Sequence, residues 1–105
     1  MTSGDWLSAQ ASTAPARLVE RLRVTLSKES DSGEAPDTSE ALIGAGVMLL
    51  RQLLESEGAL GRAGALELLA ADASVTWAME AAAEHPASLA TRSERAMRRI
   101  MAVAS

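Results

Sequence analysis

The chain has 105 residues, ten basic and fourteen acidic side chains, a net charge of −4, one histidine, and no cysteine, phenylalanine or tyrosine. That length suits one small domain rather than two. The missing cysteine excludes a disulfide scaffold and thiolate zinc or iron–sulfur centres, and an acidic chain lacks the overall basic footprint that duplex phosphates demand.

Alanine fills 22 positions, and the strand formers are five valines and two isoleucines. Alanine, leucine, glutamate, arginine and methionine all favour helix. The composition therefore predicts an all-α fold. The predicted architecture is a compact bundle of four helices, at about 15–28, 38–57, 62–84 and 88–103, preceded by a short N-terminal segment. Residues 15–105 form the domain, with an acidic loop at 29–37, and residues 1–14 either dock on it or stay flexible.

Residues 1–14 are rich in Ser, Thr and Ala. Asp5-Trp6-Leu7 suits a helical turn that docks on the body, because a lone exposed Trp is uncommon; the alternative is a frayed terminus. No early basic region leads into a long apolar run, so no secretion signal is expected. The longest strongly apolar stretch, residues 41–50, is half of the roughly 20 residues that a bilayer requires. The expected location is the cytoplasm, away from membranes.

Pro15 suits the first turn of a helix. Leu18, Val19, Leu22 and Leu26 follow it at helical spacing, with Arg17, Glu20, Arg21 and Lys28 on other faces. The segment Glu29–Asp37 contains Gly33 and Pro36 and no large apolar residue, which predicts a loop. Asp37 with Glu40 three residues later forms a candidate capping box.

The second predicted helix is apolar on every side from Ala41 to Leu50, and a helix apolar all round is buried all round. Three companion helices in so small a domain are too few to shield it, so this stretch is expected to meet another chain. Gly44 and Gly46 each cost about 1 kcal/mol relative to Ala but smooth the surface for close approach. The expected interface residues are Leu42, Ile43, Gly44, Gly46, Val47, Leu50 and Leu54. Gly58 is a C-terminal stop, with Gly61 and Gly64 in the join.

In the third predicted helix, Leu68, Leu69, Val75, Thr76, Met79 and Ala83 share one face and are expected to point into the core. His85-Pro86 ends it, because proline disfavours helix at the residue before it. Ser88 is the expected N-cap of the fourth helix, whose apolar stripe is Leu89, Ala96, Met97, Ile100 and Val103.

Asp72 falls on the face of Leu68 and Leu69, where a carboxylate needs a partner. It is read either as half of a structural ion pair or as a ligand-binding group, with Thr76, Trp77, Arg95 and Arg99 as the other candidates. Arg92, Arg95, Arg98 and Arg99 crowd the fourth helix and are expected to complement Glu80, Glu84 and Asp72 next door, or to hold nucleic acid or an acidic partner. No catalytic triad, phosphate-cradling loop or metal spacing is present, and neither cofactor nor metal is expected. The leading functional expectation is a non-enzymatic helical interaction module, self-associating or part of a larger assembly. The alternatives are a small-molecule-binding or enzymatic bundle around Asp72, and a regulator acting through the fourth helix.

Overall fold

The computed structural model describes residues 3–10, 15–30, 37–56 and 61–104. These form α1 (Ser3–Gln10), α2 (Ala16–Ser30), α3 (Thr38–Glu55), α4 (Arg62–Ala82) and α5 (Leu89–Ala104), with a 3-10 turn at Pro86–Ser88 before α5. There is no strand among the described residues, and the fold is an all-α bundle. The turn expected at Gly58 and the Gly33–Pro36 part of the acidic loop lie outside the described residues.

Local chemistry sets the helix ends. The Pro15 carbonyl accepts from the Leu18 and Val19 amides at 3.1 and 3.2 Å and starts α2. Asp37 caps α3: its carboxylate accepts from the Glu40 amide at 3.0 Å and its carbonyl from the Ala41 amide at 2.9 Å. Glu40 does not reach back to complete the box, because its carboxylate pairs with Arg95 on α5 at 3.0 Å. The Gly61 carbonyl accepts from the Ala65 amide at 3.0 Å at the start of α4. Ser88 immediately precedes α5, but its hydroxyl is taken up by the His85 carbonyl (3.2 Å) and by Arg92 Nε (2.7 Å).

α3 and α4 form an antiparallel hairpin that is the centre of the fold. The Ser74 hydroxyl donates to the Leu42 carbonyl at 2.6 Å, and a Cβ added at Gly46 would meet Val75 Cγ2 at 3.1 Å and the Ala71 carbonyl oxygen at 3.5 Å. The surface of α4 buried in the core is made of small residues: Ala70, Ala71, Ser74, Ala78, Ala81 and Ala82. Small side chains let two helix backbones approach closely and bury each other without large residues between them. α2 lies across the hairpin, where Arg21 forks onto Glu67 with contacts of 2.6 and 3.0 Å and reaches Gln52 at 3.2 Å. α1 adds Trp6 and Leu7 to the core, and Trp6 Nε1 donates to Glu84 at 3.1 Å.

Two expectations fail here, for one reason. Of the expected core face of α4, Leu68, Leu69, Thr76 and the following Ala83 are exposed, and only Val75 and Met79 are partly buried against the core. The alanine ridge on the other side takes the core position, because only small side chains fit where the hairpin backbones come close. The apolar stretch of α3 also needs no second chain: Ala41, Leu42, Ile43, Gly44, Ala45, Gly46, Val47 and Leu49 are all buried within one copy. Close approach of α4 covers more of α3 than bulky packing would, and α1 is a companion that the four-helix count leaves out.

Candidate functional site

α5 runs parallel to α3 and is tied to it by charge. Arg92 Nη1 lies 2.6 Å from Asp37 Oδ2, and Arg95 Nη1 lies 3.0 Å from Glu40 Oε1. Partial burial pushes the Asp37 carboxyl up, but the Glu40 amide, the Arg92 guanidinium and the charge of His85 outweigh this and hold it below the ordinary carboxylate range. The acids that answer the α5 arginines therefore sit on α3, and on α5 itself where Glu94 pairs with Arg98 at 3.3 Å. They are not Glu80, Glu84 and Asp72 of α4. Glu84 is engaged by Trp6 instead, and Asp72 is exposed.

Below these pairs α3 and α5 part and leave a cleft of about 450 Å³, lined by Met48, Arg51, Gln52 and Glu55 from α3 and by Arg99 and Ala102 from α5. Arg51 and Arg99 have no ion-pair partner among the described residues. A second hollow of about 620 Å³ lies between α2 and α4, with Arg17 and Arg62 beside Ala65, Leu66 and Leu69. Among the described residues no three histidine, aspartate or glutamate side chains are placed to hold a metal ion, and no helix is long and apolar enough to cross a membrane.

The residues singled out in the sequence are not brought together. Asp72 and Thr76 are exposed on α4, Trp77 is half-buried against the core, Arg95 is paired with Glu40, and Arg99 faces α3. Of the expected interface set, Leu42, Ile43, Gly44, Gly46 and Val47 lie in the core, Leu50 is half-buried, and Leu54 is exposed. Leu42, Ile43 and Gly46 are covered by the chain's own helices, and Gly44 and Val47 reach the floor of the α3–α5 cleft.

The large apolar side chains left outside are elsewhere. Leu54 is 64% exposed, Leu68 53%, Leu69 60%, Met97 62% and Met101 66%, with Val24 of α2 at 40%. Because α4 is antiparallel to α3 and α5 is parallel to it, Leu54, Leu68, Leu69 and Met101 fall in the half of the molecule where α3 ends, α4 begins and α5 ends. Met97 is one turn back from Met101. A signal for this was present in the sequence: Leu68 and Leu69 share their stripe with Asp72 and Thr76, two polar residues that a core face rejects. Arg51 carried no such signal, since its neighbour across the cleft comes from another helix. In comparisons with protein-family models, curated proteins and solved structures, nothing matches this chain.

Proposed function

We propose that the protein is a non-enzymatic helical interaction module that self-associates through the exposed faces of α4 and α5. The observation that carries this reading is that Leu54, Leu68, Leu69 and Met101, all more than half exposed, fall in the same half of the molecule, with Met97, also more than half exposed, one turn back from Met101. Scattered single apolar side chains are ordinary on a surface, whereas several large ones together mark a contact site. Of the interface residues expected from composition only Leu54 belongs to this face, because the apolar run of α3 is spent inside the monomer.

Charge supports a second copy as the occupant. Exposed Asp72 shares the α4 stripe with Leu68 and Leu69, and on α5 exposed Glu94 and Arg98 share the stripe with Met97 and Met101. An interface with two-fold symmetry sets a patch against its own copy, so a rim with both signs can satisfy itself. A partner of one sign would meet repulsion on part of that rim.

The test is the native mass at low micromolar concentration, by sedimentation, for the wild type and for Leu68→Glu and Met97→Glu. The expected result is a wild-type oligomer that becomes a folded monomer in both variants. A wild type that stays monomeric up to high micromolar concentration would overturn the reading. An oligomer that is indifferent to both substitutions would overturn the assignment of the face.

A further inference from the structure

α5 presents Arg92, Arg95 and Arg99 towards α3, at the three- and four-residue spacing of one helix edge. The first two rungs are each met by an acid of α3, Asp37 at 2.6 Å and Glu40 at 3.0 Å. At the third rung the pattern breaks. α3 passes Arg99 with Gly44, Val47 and Met48, and its next charged side chain is Arg51, a second cation in the same cleft. Neither guanidinium is paired among the described residues, and Glu55, which also lines the cleft one helical turn beyond Arg51, pairs with neither.

We propose that this α3–α5 cleft binds a small organic anion, with the oxyanion of a carboxylate or phosphate monoester held between Arg51 and Arg99. Two cations from different helices facing one space repel each other, and an anion between them converts repulsion into two charge-assisted hydrogen bonds. The planar guanidinium fork matches carboxylate and phosphate oxygens in geometry as well as charge. Gln52, whose Oε1 already accepts from Arg21 at 3.2 Å, offers its side-chain N–H groups as neutral donors on the same side of the cleft. The volume of about 450 Å³ falls in the range of small-molecule sites and is far larger than a bare oxyanion needs. Val47, Met48 and Ala102 supply apolar surface for the remainder of the ligand. Glu55 at the cleft limits the charge: it disfavours a polyphosphate and is compatible with a single anionic group. The three other arginines of α5 are committed to Asp37, Glu40 and Glu94, so the site is local and does not extend into a nucleic-acid track.

The test is calorimetric titration of the full chain with phenyl phosphate, benzoate and inorganic phosphate, at fixed ionic strength set with chloride. The same titrations use Arg51→Gln, Arg99→Gln, and Arg23→Gln on α2 as a control outside both the cleft and the self-association face. The expected result is saturable binding of phenyl phosphate or benzoate, with inorganic phosphate weaker. Arg51→Gln and Arg99→Gln should each weaken binding about tenfold or more, the scale of one lost charged hydrogen bond. Arg23→Gln should leave binding within about twofold of wild type, because its exposed pair with Glu20 lies outside the cleft. Circular dichroism checks that each variant is folded; if half-buried Arg99 proves necessary for folding, exposed Arg51 decides the outcome alone. No saturable binding of any of the three anions by the wild type would overturn the proposal, as would equal binding by the cleft variants. Inorganic phosphate binding as tightly as phenyl phosphate would overturn the organic part of the assignment.

Discussion

Ser74 of α4 donates its hydroxyl to the carbonyl of Leu42 on α3 at 2.6 Å, in the fully buried seam between the two helices. A hydroxyl fits there because it is scarcely larger than a methyl group and brings its own hydrogen-bond partner across the interface. Ser74→Ala is expected to lower stability by about 1 kcal/mol, the net worth of one hydrogen bond. Ser74→Leu should cost more, about 1–3 kcal/mol or beyond, because the backbones must separate. Urea unfolding of both variants measures this. An equal cost for the two would show that the seam is looser than these distances imply.

Gly46 tests the same seam from the other side. An added Cβ would meet Val75 Cγ2 at 3.1 Å, with Ser74 Cβ and the Ala71 carbonyl oxygen each at 3.5 Å. Gly46→Ala gains about 1 kcal/mol of helix propensity and loses a comparable amount to crowding, so the net change should be small. In a Val75→Ala background the crowding is relieved, and the same substitution should become stabilising. A double-mutant cycle reads this coupling directly; strictly additive effects would remove Val75 as the limiting contact.

Asp37 combines a cap with an ion pair, and the two roles separate by pH. Asp37→Ala should cost about 0.5–2 kcal/mol at neutral pH through loss of the cap. Because the folded carboxyl is held below the unfolded value of about 3.9, its contribution is complete above that pH and is lost as the pH falls through the lowered value. Asp37→Asn keeps the cap and lacks the charge. Its stability should therefore fall less steeply than that of the wild type below about pH 4. Matching acid profiles would show that the charge contributes nothing.

Trp6 anchors α1, with its ring buried and its indole N–H 3.1 Å from Glu84. Trp6→Ala should cost about 3–5 kcal/mol, the usual loss for a large aromatic removed from a core. Trp6→Phe keeps most of the ring and gives up the hydrogen bond, for about 1–2 kcal/mol. Thermal unfolding distinguishes them. A negligible effect of Trp6→Ala would mean that α1 adds nothing to the stability of the domain.

The helices and their ends were legible in the residues. Pro15, the Asp37–Glu40 spacing and His85-Pro86 each act within a few residues, through backbone hydrogen bonds and fixed dihedral angles that need no tertiary partner. The Asp37 cap accordingly forms, while its reciprocal half does not, because Arg95 arrives from 55 residues away and takes the Glu40 carboxylate. The candidate site was less legible. Arg99 stands out in the sequence, but its cleft partner Arg51 is visible only once α5 lies parallel to α3.

The chain's own sequence determined that it is helical, where most of its helices start and stop, and that they form one bundle. The Leu18, Val19, Leu22 and Leu26 stripe of α2 was legible as the inward one, but which side of α4 faces inward was decided only by the tertiary structure. Composition ranks leucines above alanines for burial, and on α4 that ranking selects Leu68 and Leu69. In the folded chain they are outside and Ala70, Ala71, Ala78, Ala81 and Ala82 are inside. The physical reason is that burial depends on how near the facing backbone can come, and that distance belongs to a pair of helices, not to either one alone.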